Sequence, residues 1–314
     1  MSSRGTTKTV VVALGTHTID CGLKFFGFAL TGSASLLSSA VHSICSITDQ
    51  IALLTGSKMS SRKADDNHPF GYARERYVFA FLVSLMVFTL GGLFALWQGY
   101  SKARDVAAGH PGKLLTSSLW WVPVVILVGN LISQSFNFRS VQHTLHIKKG
   151  NKSWLRFLSS AKEPEHPVVM LETIGSLTNN SLALLGIVIS RVTQNSYFDA
   201  LGSALIGLSL VGLSIMMMRK TWSMLIGEGG SRASLARVRA CLAATDGVTS
   251  VKRFKSLHMG PDELMVVAKI EIDPDKTVDD VSTIIGRAGQ AVRRVEPAIN
   301  RLYLEPARAG GASS

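Results

Sequence analysis

Six segments of the chain, residues 9–30, 37–57, 76–100, 115–138, 167–191 and 197–218, are long, apolar and poor in charge. A helix needs about 20 such residues to cross the hydrocarbon core of a bilayer. In lipid every backbone N–H and C=O must be satisfied within the protein, which leaves the helix as the form open to a single apolar run. Composition agrees. Only 17% of residues are charged and 46% are hydrophobic, against roughly a quarter charged in soluble domains. The expected fold class is a membrane all-α bundle of six transmembrane helices over residues 1–226, followed by a C-terminal domain of another kind over 227–314.

The formal net charge of +12 does not require nucleic acid as a partner, because basic loops facing the cytoplasm produce the same excess. Arg4 and Lys8 precede the first run. Lys58, Arg62, Lys63, Arg74 and Arg76 lie between the second and third. Lys148, Lys149, Lys152, Arg156 and Lys162 lie between the fourth and fifth, and Arg219 and Lys220 follow the sixth. The alternate loops hold only Lys102, Arg104, Lys113 and Arg191. This asymmetry places both termini in the cytoplasm. Trp97, Trp120, Trp121 and Trp222 fall near the ends of the runs, where interfacial anchors sit. The opening "MSSRGTTKT" has no cleavable signal pattern, so the first run is expected to stay in the protein. Cys21, Cys45 and Cys241 show no paired spacing, which argues against a disulfide framework or a thiolate metal clip.

From Gly227 the pattern changes. "SRASLARVRACLAATDG" predicts an amphipathic helix ended by Gly247. "VTSVKRFKSLHM" and "ELMVVAKIEID" predict two strands joined at "GPD". "TVDDVSTIIGRAGQAVRRV" predicts a second helix, and "INRLYLEP" a last strand. The order α-β-β-α-β describes a small α+β domain.

Ionisable residues at bilayer depth mark function by default, because an isolated charge there costs several kcal/mol. They are His17, Asp20 and Lys24 in the first run, His42 and Asp49 in the second, and Glu172 in the fifth. His42, Ser46 and Asp49 are spaced i, i+4, i+7 and share a helix face, as do Glu172 and Ser176. Imidazole with carboxylates and no thiolate is a donor set for zinc, or for manganese, iron or cobalt. The same groups bind protons, so one site can exchange metal for protons. The simpler reading is hydrogen-bonded packing. It suits His17, and Asp20 with Lys24 reads as a neutralising i, i+4 pair. A second cluster, "KADDNHPFGYAR" at 63–74, crowds Asp65, Asp66 and His68 into a turn; alone it reads as a solvated loop.

"GFALTGSASLLSSAVHS", "ADDNHPFGYARERY" and "YFDALGSALIGLSL", in that order, resemble the cation diffusion facilitator family of divalent-metal/proton antiporters, and its zinc-transporting branch most closely. The resemblance implies a six-helix bundle with a cytoplasmic metallochaperone-like (ferredoxin-like) domain, a homodimer, and a transport site between the second and fifth spans. His42 matches the first site position. Ser46 stands where Asp is usual, Asp49 one turn on where the related branch has Asn, and "LET" replaces Glu-Asp with Glu172 and Thr173. Asp49 is then a relocated ligand, or the mark of a transporter with altered metal choice or weak transport. In the loop, Asp65 and His68 match a second metal site whose later His position is Tyr72. The tail holds one histidine, His258, where the family's bridging sites use several.

The expected function is therefore efflux of a divalent cation, zinc in the first place, driven by proton antiport. No enzyme and no prosthetic group are expected. The metal set is His42, Ser46, Asp49, Glu172, Thr173, Asp65 and His68. The partners are a second copy, metal ions, protons and membrane lipid, without nucleic acid. The location is a bacterial inner membrane, crossed several times. The alternative is a non-transporting or altered-selectivity subunit of the same family acting through dimerisation.

Overall fold

A computed structural model describes residues 3–110, 112–149, 165–260 and 263–308. The loop expected between the fourth and fifth spans lies largely outside them. The chain divides into two compact units, residues 1–57 with 78–221, and residues 58–77 with 222–314.

The first unit is helical. Its long helices are α1 (Ser3–Thr31), α2 (Ala34–Ser60), α3 (Glu75–Ala107), α5 (Trp121–Lys149), α6 (Glu165–Thr193) and α7 (Tyr197–Ile226), with a short α4 (Lys113–Thr116) before α5. Among the described residues four helices, α3, α5, α6 and α7, are long and apolar enough to cross a membrane. α2 is as long, but Ser35, Ser38, Ser39, Ser43 and Ser46 dilute its apolar character. Exposed Ile19, Phe26, Val125, Ile132, Phe136 and Leu208 turn outward from the helices, as lipid-facing side chains do. The fourth span starts later than the apolar run suggests. The Ser117 hydroxyl accepts from the Leu119 N–H, holding a turn, and helix resumes only at Trp121. Pro123 then sits in the first turn, where its missing N–H costs nothing.

α3 and α7 meet through small residues. A Cβ on Gly92 would lie 2.7 Å from Val211, and one on Gly207 2.7 Å from the Leu96 backbone nitrogen. This is the close approach that drives helix association in lipid, where apolar burial alone favours nothing. α3 widens into a π-helical turn at Val87–Leu93, and both Gly91 and Gly92 lie within it.

α1 and α2 form a hairpin across Gly32, whose φ of +61° suits glycine. The start of α2 is held from across the bundle by Asp199 on α7, which is fully buried. One carboxylate oxygen accepts from the Ser33 hydroxyl at 2.6 Å and the Ser35 N–H at 3.2 Å, and the other from the Ala34 N–H at 2.7 Å. Further along α2, Ser38 pairs with Ser203 and Ser39 donates to Asn180 at 2.9 Å.

The second unit holds the tail. α8 (Arg232–Ala243) is followed by β1 (Val248–Gly260), β2 (Glu263–Ile272), α9 (Val278–Val295) and β3 (Ile299–Arg308). The sheet order is β1-β2-β3. β1 and β2 are antiparallel, with Phe254 opposite Ala268, and β2 and β3 are parallel, with Ala268 opposite Leu304. The parallel pair demands a crossover, which α9 supplies. Both helices cover one sheet face. Val238, Leu242, Ile284, Ala288 and Val292 pack there against Leu264, Val266, Ala268 and Ile270. Thr277 and Asp280 close a capping box at the start of α9, and burial is periodic along it, with Ile284, Ala288 and Val292 inward.

Replacing Asp199 by alanine is expected to destabilise the folded chain by about 2–4 kcal/mol, since the N–H groups and hydroxyls at the start of α2 lose their acceptor. Asp199→Asn, which keeps an accepting oxygen, should lose less. Denaturant unfolding in detergent micelles measures both, and an unmoved midpoint for Asp199→Ala would rule out the cap.

Candidate metal centre

α2 aligns three of the expected residues because helical spacing i, i+4, i+7 returns to one face. His42, Ser46 and Asp49 are all buried, at 5%, 1% and 2% exposure. α6 faces them. Ser176 Oγ lies 3.4 Å from His42 Nε2. Glu172, one turn earlier, is near enough to Asp49 for its charge to act on that carboxyl. The Ser46 hydroxyl turns toward Glu172 without closing a well-formed hydrogen bond. Thr173 is buried on α6 beside Glu172. Nδ1 of His42 and Oδ1 of Asp49 are buried with no hydrogen-bond partner.

Orphaned buried polar atoms are rare in folded proteins and call for an explanation. Here an imidazole nitrogen and a carboxylate oxygen lie on one helix face, opposite a second carboxyl. A divalent cation would answer both the lone pairs and the like charges. Among the described residues, no three histidine, cysteine or carboxylate side chains stand close enough to enclose a metal on their own. A cation held here would need hydroxyls or water in its shell, or a closer approach of α2 and α6. Ser176 is absent from the ligand set expected from the sequence, although its spacing from Glu172 puts it on the right face. What spacing does not reveal is its contact with His42, 134 residues away.

Asp65 and His68 form a separate group in the loop between α2 and α3. The Asp65 carboxylate accepts from the Tyr72 hydroxyl at 2.6 Å and from the His68 N–H at 2.7 Å, and His68 Nδ1 lies 3.5 Å from it. The rings of His68 and Tyr72 lie tilted against each other with centroids 4.4 Å apart, and Arg62 lies over Tyr72 at 4.8 Å. The Tyr72 hydrogen bond, followed by that of the His68 N–H, holds the Asp65 carboxyl below its ordinary pKa, and the same bond raises the Tyr72 phenol. Tyr72 thus occupies the carboxylate as a donor. The loop also rests on the tail. Arg301 on β3 donates to the Phe70 carbonyl at 2.9 Å and covers its ring at 5.1 Å. A Cβ on Gly260, at the end of β1, would lie 2.7 Å from that of Ala73. In the tail, His258 is buried with Nδ1 3.3 Å from the Gly260 carbonyl.

The family model of the cation efflux transmembrane domain matches residues 10–226. The chain belongs to the cation efflux family, the cation diffusion facilitators. Members of this family are transporters and not enzymes. Among curated relatives of this cation diffusion facilitator, the mitochondrial proton-coupled zinc antiporter SLC30A9 of Homo sapiens is 24% identical over 272 residues, covering 86% of this chain and 46% of that protein. The metal cation efflux system protein CzcD of Cupriavidus metallidurans is 26% identical over 238 residues, covering 74% of this chain and 65% of that protein. The chain thus spans about half the length of the zinc antiporters it matches. The nickel form of the MamM C-terminal domain aligns with 25% of the chain, at 20% identity and a TM-score of 0.24.

Tyr72→Phe removes the strongest donor to Asp65, so the Asp65 pKa should rise toward its ordinary value. A depressed folded-state pKa means that the loop is favoured above the ordinary carboxylate range and loses this support as pH falls through the depressed value. An NMR titration of the Asp65 carboxyl in both proteins checks the shift; coincident curves would show that Tyr72 is not its cause.

Proposed function

We propose that the chain exports a divalent cation, zinc in the first place, in exchange for protons. The observation that carries this is the pair of orphaned buried atoms on α2, His42 Nδ1 and Asp49 Oδ1, facing Glu172 on α6 in a bundle of the cation efflux family. Residues that satisfied one another would make packing the sufficient explanation. Here they do not, and a transported ion supplies what the helices lack.

In this reading His42, Asp49 and Glu172 bind the cation, with Ser46, Thr173 and Ser176 supplying weaker oxygen donors. Metal arrives from the cytoplasmic side, and rocking of the bundle exposes it outward. Protons compete for imidazole and carboxylate and eject the ion, which couples the two flows. The relatives named as zinc antiporters support both the metal and the coupling. Asp65 and His68 sit in a loop already closed by hydrogen bonds, which supports a modest part for them, setting rate rather than carrying the ion. Six spans with both termini in the cytoplasm of a bacterial inner membrane, a ferredoxin-like tail and a homodimer complete the proposal.

Asp49→Asn is expected to lower metal-dependent flux in liposomes at least about tenfold, since a ligand charge is lost. Ser46→Ala should leave most of the flux. Ser46→Asp in the Asp49→Asn background should restore part of it, by returning a carboxylate one turn nearer His42. Calorimetry on the same proteins separates binding from folding. Unchanged zinc affinity in folded Asp49→Asn would sink this assignment, and a wild-type protein that binds zinc without moving it would favour the non-transporting alternative.

A further inference from the structure

The proposed metal face leaves the charged pair of Lys24 and Asp20 on α1 unused. Lys24 on α1 is 2% exposed. Its Nζ lies 2.8 Å from Asp20 Oδ2 and donates to Ser43 Oγ at 2.9 Å. The Ser43 hydroxyl lies 2.9 Å from the same Asp20 oxygen and 3.1 Å from the Ser39 carbonyl. The other Asp20 oxygen, Oδ1, is buried without a partner. Ser43 directly follows His42, so the α1 pair is bonded to the backbone neighbour of the proposed metal ligand.

Stability alone is a weak reason to keep such a pair. A buried ion pair is often replaceable by apolar side chains without loss, because desolvation cancels most of its attraction. Lysine also differs from arginine in one respect that matters here: a buried ammonium releases its proton readily, and a guanidinium does not. The titratable or charged groups that act on this region are His17, Asp20 and Cys21 on α1 and His42 on α2. α5, which also packs on α1, has no ionisable side chain between Trp121 and Phe138. A divalent ion held by His42 adds positive charge on the side from which Lys24 is already felt.

We propose that Lys24 with Asp20 is a proton-binding site of the transport cycle, separate from the metal ligands. The inference rests on the α2–α6 reading of the metal site. When metal loads, an N–H bond of the Lys24 ammonium breaks, the electron pair stays on nitrogen, and the proton passes to water by way of the free Asp20 oxygen and His17, which is partly exposed one turn nearer the N-terminus. When metal leaves, Lys24 takes a proton back and the ion pair with Asp20 re-forms. Each metal ion thereby displaces one proton from this pair in addition to those displaced from its own ligands.

The test uses the full-length protein. Zinc is titrated calorimetrically in buffers of different ionisation enthalpy, which counts protons released per metal, and zinc flux is measured in liposomes with and without an inward proton gradient. Lys24→Arg keeps the charge and the pairing but cannot shed the proton. It should fold, bind zinc within about threefold of wild type, release about one proton fewer per zinc, and lose most of the acceleration that the gradient gives. If the arginine does not fit, the neutral pair Lys24→Met with Asp20→Asn should show the same missing proton. A wild-type proton count and gradient response in either folded variant would overturn the proposal and leave the pair a structural tie. Loss of zinc binding in Asp49→Asn together with an unchanged count in Lys24→Arg would overturn this proposal alone. Zinc binding that survives Asp49→Asn would overturn the α2–α6 reading and this one with it.

Discussion

The arrangement of α2 depends on one carboxylate. A helix that begins inside a membrane protein presents N–H groups that nothing in lipid can satisfy. Asp199, reaching across from α7, accepts from the first of them and from the hydroxyls beside them. Its negative charge also sits at the positive end of the α2 dipole. From that anchor the serines of α2 run down the bundle and find partners in turn, Ser38 with Ser203 and Ser39 with Asn180. Further along α2, His42 Nδ1 and Asp49 Oδ1 are buried without a hydrogen-bond partner. The same helix thus carries paired serines and, beyond Ser39, buried atoms without partners. The contrast sets the buried face of His42 and Asp49 apart from ordinary polar packing.

Two neighbouring helices serve that face differently. α6 brings Glu172 and Ser176 to it, groups suited to hold a cation. α1 brings a cation of its own, Lys24, fastened to Asp20 and Ser43 on the adjoining face of α2. α2 therefore stands between a region short of positive charge and a region supplied with it. α2 is in contact with both regions at once.

Much of this was legible in the sequence, and the limits follow from what periodicity encodes. Apolar runs of about twenty residues disclose helices, and the alternation in "ELMVVAKIEI" discloses a strand with one covered face. The capping residues Thr277 and Asp280 mark where α9 begins. Spacing likewise puts His42, Ser46 and Asp49 on one face. It does not say what that face meets. The contact of Ser176 with His42 and that of Asp199 with Ser33 span 134 and 166 residues. Tyr72 shows another limit. From the sequence it reads as a histidine position without its histidine, whereas in the fold its hydroxyl is the donor that engages Asp65. The late start of the fourth span turns on one serine hydroxyl, too local a signal to stand out in an apolar run.

The seat of the α2–α3 loop on the tail bears on how the molecule is made. Phe70 and Arg301 are 231 residues apart, and Ala73 meets Gly260. A chain emerging from the ribosome exposes this loop long before β1 and β3 exist to receive it. The loop must wait through the insertion of four further helices, holding its own shape through local bonds such as those of Asp65 with Tyr72 and His68. Its docking is then among the last events of biogenesis, and a chain cut short before β3 would leave the bundle inserted with this corner unfinished, open to quality-control proteases.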